Sequence, residues 1–153
     1  MNIFVVHSNP VTAAKSLCDK HIVKMPLETA QMLCTAVNMC GGVTPYKSAY
    51  INHPCTVWAR NSFLNFMWLC EHGEALCREY RERYGRRHKC QDVIDKCRKA
   101  GRKVLPRNDP TPHPQCMPDQ YKCDDVVTAY RQYYQGEKAY MATWKQNQPD
   151  WWR

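Results

Sequence analysis

The stretch CDKHIVKMPLETAQML, Cys18 to Leu33, reads as an amphipathic helix with an unusual polar side. His21, Lys24, Glu28 and Gln31 fall at i, i+3, i+7 and i+10, so they share one stripe. Ile22, Met25, Thr29, Met32 and Leu33 point elsewhere. A stripe of imidazole, amine, carboxylate and amide is able to hold a substrate and move protons. The plainer reading is a solvated face tied by Lys24 and Glu28, an i,i+4 pair worth about 0.2–0.5 kcal/mol. Pro26 favours the first reading. A proline inside a helix costs ~3 kcal/mol or more and is expected to kink or split it. A kink there would open space between His21 and Glu28.

Upstream, Asn9-Pro10 supplies an N-cap and a first-turn proline, so helix is expected from there to Cys40, where Gly41-Gly42 stops it. Asn2 to Val6 is a β-branched and aromatic run, either a single strand or a buried extended arm. Downstream, a loop from Val43 to Asn52 leads to His53-Pro54, a second helix start. Helical periodicity then runs from Cys55 to Tyr84, with a break expected at Gly73 or at Asn61-Ser62, and Tyr84-Gly85 ends it. A basic helix from His88 to Ala100 is expected to close at Gly101. Leu105 to Pro118 holds five prolines and reads as an ordered extended loop. Asp124 or Asp125 caps a last helix from Val126 to about Trp144. The pattern predicts an all-α fold: one compact domain over residues 1–153, four or five helices, a short N-terminal extended segment and a long proline-rich loop.

The formal net charge is +8, and it is concentrated. Between Arg78 and Arg107 there are twelve Lys or Arg against four Asp or Glu, so one segment holds the whole excess. Such a stripe is the footprint of a polyanion binder, with a solvated basic helix pair as the plain alternative. No apolar run approaches the ~20 residues that span a bilayer, and no secretory leader is evident. A cytoplasmic protein, in the host cell if viral, with no membrane partner is expected. The ten cysteines are therefore expected to be free thiols, and no Cys-x-x-C pair suggests a metal. A looser set, His88, Cys90, His113, Cys116 and Cys123, is the only hint of ligand character, and no metal is expected.

Three further stretches carry chemistry. In NHPCTVWAR, Asn52 to Arg60, His53 sits at the helix start, Thr56 and Arg60 lie one turn apart, and Trp58 reads as core. In YRQYYQGEKAY, Tyr130 to Tyr140, tyrosines alternate with Arg131 and Lys138, a pattern suited to nucleic acid. The plain alternative is packing of Tyr130 and Tyr134, four apart, against the core, with about half of the tyrosines buried and half exposed. MPDQYK, Met117 to Lys122, places Asp119 and Lys122 at a loop exit. Walker, G-x-G-x-x-G, H-E-x-x-H and G-x-S-x-G motifs are absent.

Taken together, CDKHIVKMPLETAQML, NHPCTVWARNSFLNF and YRQYYQGEKA resemble the bacteriophage pyrimidine-dimer DNA glycosylases of the endonuclease V type. The resemblance implies a compact all-α glycosylase domain that uses no metal or cofactor. It implies that an N-terminal α-amine attacks C1′ of the damaged nucleotide. A Schiff base then forms, the base leaves, and β-elimination nicks the strand. An α-amine is less basic than a lysine side chain, so more of it is nucleophilic near neutrality. His21 and Glu28 keep the family's seven-residue spacing, and Glu28 would be the acid/base group. The nucleophile would be the amine of Met1, with Lys24 as the rival amine. Substrate binding would fall to His21, Gln31, His53, Thr56, Arg60, Asp119, Lys122, Tyr133 and Lys138. Arg86, Arg87, Lys89 and Arg131 would meet the nucleic-acid backbone. Two positions depart from the family pattern. The chain begins Met1-Asn2-Ile3 where the family has threonine and arginine after methionine removal, and Leu27 stands where the family has arginine beside its glutamate. Because asparagine is bulky, Met1 is expected to be retained. The implied partner is double-stranded DNA. The alternatives are a protein that processes a free or modified nucleotide, and a noncatalytic nucleotide or nucleic-acid binder.

Overall fold

The computed structural model describes all residues, 1–153. It is all-α: α1 (Pro10–Lys15), α2 (Asp19–Met39), α3 (Pro54–Asn61), α4 (Phe63–Tyr84), α5 (Gln91–Val104) and α6 (Val126–Glu137), with a 3-10 turn at Asp119–Tyr121. Several starts are fixed locally. Asn9 accepts from the N–H groups of Val11 and Thr12, and Pro10 follows it. His53 Nδ1 accepts from Cys55 N–H, Ser62 Oγ from Leu64 N–H, and Asp125 from Thr128 N–H. Gly85, at φ 71°, ends α4 in the left-handed region.

Six helices stand where the sequence suggests four or five, and the extra division is not at Pro26. α2 runs through that proline, which is buried. The chain instead breaks at Ser16–Cys18, where tertiary partners replace helical ones. Cys18 N–H donates to Tyr134 Oη at 3.0 Å, and Arg83 donates to the carbonyls of Lys15 and Leu17 at 3.0 and 2.9 Å. The break before α4 falls at Ser62, and Gly73 lies within the helix. A Cβ at Gly73 would sit 2.8 Å from Thr29 Cγ2, so this glycine permits the close approach of α4 to α2. Gly101 likewise does not close α5. It lies one turn from the end, where a side chain would strike the Phe66 ring. α6 ends at Glu137, short of Trp144, because the tail turns back to cap α2. Asp19 N–H donates to Thr143 O at 2.8 Å and Trp144 Nε1 to Ser16 O at 3.0 Å, occupying groups left open at the α1–α2 reversal.

α2 and α4 pack on each other at the centre, with α5 against both, α3 against both and α1 against α4. The segment Asn2 to Val6 forms no strand. It is a buried extended arm lying between α2 and α6. Phe4 stacks on His21 at 4.4 Å and meets the edges of Tyr130 and Tyr134. The proline-rich loop is ordered because side chains bond a backbone poor in donors. Trp58 Nε1 donates to Thr111 O at 2.9 Å, Ser62 Oγ to Asn108 O at 3.0 Å, and Asn2 Nδ2 to Cys116 O at 2.9 Å. The accessible surface is 7835 Å², against about 8,000 Å² for a compact monomer of this mass. No helix is long and apolar enough to cross a membrane. All ten cysteines are unpaired, and seven are buried.

Candidate active site

The buried arm delivers the chain's first residues to the polar stripe of α2. Glu28, 9 % exposed, projects from α2 into a cavity of about 280 Å³. Its Oε1 accepts from Asn2 N–H at 3.1 Å and lies 3.4 Å from the amine of Met1. Its Oε2 lies 3.4 Å from Lys24 Nζ. One carboxylate thus faces two amines and a backbone N–H. His21, Lys24, His53, Cys116, Tyr133 and Lys138 complete the polar part of the wall.

His21 is fixed by its surroundings. Its Nδ1 pairs with Tyr134 Oη at 2.7 Å, and the ring lies flat against Phe4. Burial, then the charges of Lys138 and Lys24, push its pKa down to about 3, so it stays neutral. His53 is also held below its ordinary value, by burial and by the N-terminal amine. With both histidines neutral, the charges on the wall are Glu28 against the amine, Lys24 and Lys138. The excess is positive, which suits a phosphate-bearing ligand. Lys138 Nζ hangs 5.3 Å from the Tyr133 ring centroid, holding cation and aromatic on one rim. Cys116 and Cys55 share a thiol hydrogen bond, Sγ to Sγ 3.6 Å. That bond holds Cys116 down at about 7, and it joins burial in pushing Cys55 up.

Of the residues singled out in the sequence, Met1, His21, Lys24, Glu28, His53, Tyr133 and Lys138 meet in this cavity. Thr56 is buried behind it, its hydroxyl 4.0 Å from Met1 Sδ. Gln31 lies further along α2 and does not line it. Arg60 donates to Ile51 O and so pins the loop before α3. Asp119 and Lys122 pair with each other at 2.9 Å on the surface. Arg131 donates to Val6 O at 2.8 Å, anchoring the arm, and is therefore not free to meet phosphates with its Nε. Phe4 and Asn2 were missed, and Cys116 figured in the sequence only as part of the looser ligand set. They are apolar or small polar residues with no local motif, and only their long-range contacts mark them.

A second, larger cavity of about 530 Å³ adjoins the first, and Lys24 lines both. Arg86, Arg87 and Lys89 line it with Tyr46, Tyr80 and the exposed Leu27. Arg86 Nε donates to Tyr80 Oη at 3.0 Å, and Arg87 forms a bidentate pair with Asp92. The looser cysteine and histidine set does not assemble. His113 is stacked on Trp58, His88 packs against Tyr80, and Cys123 is exposed.

No curated protein and no solved structure matches the chain. A family model described as pyrimidine dimer DNA glycosylase matches residues 1–92. The matched part carries the arm, α1 to α4, Glu28, His53 and the basic cluster Arg86 to Lys89, and stops short of Cys116, Tyr133 and Lys138. The match covers more than half of the sequence, and the chain belongs to the pyrimidine dimer DNA glycosylase family.

Proposed function

We propose that the protein is an N-glycosylase and strand-nicking lyase acting on pyrimidine-dimer-like lesions in double-stranded DNA. The Glu28 carboxylate, shared between the N-terminal amine and Lys24 in a cationic cavity, is the observation that carries this reading. The amine of Met1 adds to C1′ of the damaged nucleotide as the bond from C1′ to the base breaks. Loss of the amine's proton and opening of the sugar ring give the protonated imine, and removal of a C2′ proton expels the 3′ phosphate. Glu28 takes up the amine's proton and balances the positive charge that develops at C1′. An amine remains within reach whether or not Met1 is kept. Met1 N lies 3.4 Å and Asn2 N 3.1 Å from the same oxygen, so processing exchanges one nitrogen for the other. His21 and Lys138 shape the pocket, and Arg86, Arg87 and Lys89 hold backbone phosphates around it.

Borohydride reduction during reaction with a dimer-containing duplex tests this directly. A covalent adduct mapping to the first residue is expected, with intact-mass measurement identifying that residue. Lys24→Ala should keep the adduct. Glu28→Gln, nearly isosteric but unable to exchange a proton, should lower turnover by about 10²–10⁴-fold while retaining DNA binding. No adduct on dimer or abasic duplexes, together with unchanged behaviour of Glu28→Gln, would remove the catalytic reading. Saturable binding of a free nucleotide in that case would favour the nucleotide-binding alternative.

A further inference from the structure

Two cysteines distant in sequence meet beside the cavity. Cys55 is in the first turn of α3 and Cys116 is in the proline-rich loop, and their sulfurs are 3.6 Å apart. His53, at the N-cap of α3, brings a ring nitrogen to the same point, so that the three ligand atoms all lie within 4.8 Å of one another. Two thiolates on a tetrahedral cation with metal–sulfur bonds of ~2.3 Å stand about 3.8 Å apart, and a third ligand stands at a similar distance. The observed sulfur–sulfur spacing is close to that before any adjustment, and the His53 nitrogen lies within 4.8 Å of both sulfurs.

We propose that Cys55, Cys116 and His53 form a binding site for a thiophilic divalent cation of the Zn²⁺ type. Thiolate and imidazole together select such a cation over Mg²⁺ or Ca²⁺, which take oxygen ligands. Cys55 is fully buried, whereas His53 and Cys116 line the cavity, so the cation enters from the cavity and keeps an open position toward it. Binding releases the thiol protons to solvent. It also draws on the helix cap, because His53 Nδ1 accepts from Cys55 N–H at 3.1 Å. Ligation through either ring nitrogen weakens that bond, so the two sulfurs supply most of the affinity. The other close cysteine pair, Cys34 and Cys97 at 3.4 Å, is sealed in the core, and no third ligand joins it. It serves as an internal control. The inference does not rest on the glycosylase reading, because binding is measured without turnover.

The test is a titration of the metal-free protein with Co²⁺ in a phosphine reductant, read by absorption. One equivalent is expected to saturate thiolate-to-cobalt charge-transfer bands and tetrahedral d–d bands, and Zn²⁺ should bleach both. Cys116→Ser, a change on a partly exposed loop, should weaken binding by about 100-fold or more, and His53→Ala by about 10-fold or more. Cys34→Ala should leave the titration unchanged. Cys55→Ser, if it folds by circular dichroism, should match Cys116→Ser. No saturable one-equivalent binding, an octahedral cobalt spectrum, or undiminished affinity in Cys116→Ser would each overturn the site.

Discussion

The two cavities on either side of Lys24 are built on opposite terms. Around Glu28 the carboxylate and the amine of the arm are enclosed together, and two cations from separate elements reach in from the rim: Lys24, exposed one turn earlier on α2, and the partly buried Lys138 at the end of α6. Around Arg86 to Lys89 the cations come from one short segment and are largely in solvent, with Arg87 balanced by the exposed Asp92. A buried arrangement fixes geometry, whereas an open one sets potential and little else. Arg83 shows how sharply position divides the basic segment. It is one turn from Arg86, yet its side chain is fully enclosed, bonded to Glu79, Asp19 and two carbonyls. The count of twelve cations therefore overstates what is free to meet DNA.

The strongest way to break this contrast is Arg83→Ala. It takes the cation from Glu79 and Asp19, leaving them only neutral donors from the tail, and Glu79 already has one buried oxygen without a partner. A loss of about 3–5 kcal/mol is expected in denaturant unfolding. A loss below about 1 kcal/mol, the value for exposed pairs, would mean that enclosure does not distinguish Arg83 from its neighbours.

Acid reports the same enclosure through three histidines. Burial pushes His21 down to about 3, and His72 and His113 down to about 4, from an ordinary 6.5. The unfolded chain binds these protons at higher pH than the folded one. Their contribution is therefore complete above about 6.5 and is lost progressively as pH falls toward 4. Unfolding near pH 5 should take up close to three protons, measurable from the slope of stability against pH. A flat profile from 6.5 to 4.5 would show that these rings are accessible.

Charge reversal at Arg86, Arg87 and Lys89 probes the open side. Duplex binding should weaken and its log–log salt slope should shrink by up to about 2.7, at ~0.9 per phosphate contact. Arg87 should contribute least, since Asp92 already engages it. Thermal stability should stay within about 0.5 kcal/mol. An unaltered salt slope would move the DNA surface elsewhere.

The smallest effect sharpens the boundary between scaffold and site. His53→Ala should cost about 1 kcal/mol through the lost cap of α3, and His53→Asn should restore it. If turnover recovers with Asn as fully as stability does, His53 is a cap and has no part in the reaction.

Local signals carried much of this architecture. Asn9-Pro10, His53-Pro54, Asp125 and Gly85 mark their helix ends because capping depends on neighbours a few residues away. Tyr130 and Tyr134 are core, the plain alternative for this stretch, while Tyr133 between them reaches the cavity. The break at Ser16–Cys18 was not legible, because its causes, Tyr134 and Arg83, are far off in sequence. Gly73 and Gly101 looked like helix breakers and are contact points between helices. The stripe of α2 was visible as a pattern. What faces it was not, since the arm carries only an apolar run and Cys116 meets Cys55 across 61 residues.

The arm's anchoring has a consequence for how the protein is made. Asn2 Oδ1 accepts from Tyr130 Oη across 128 positions, and Arg131 holds Val6 O across 125. A ribosome releases residue 2 long before residue 130 exists, so the arm waits undocked until α6 emerges. α2 and α4 are able to pair during elongation, but the Glu28 cavity has no wall on its α6 side until then. The nascent chain therefore acquires its scaffold early and its site only once α6 has been made.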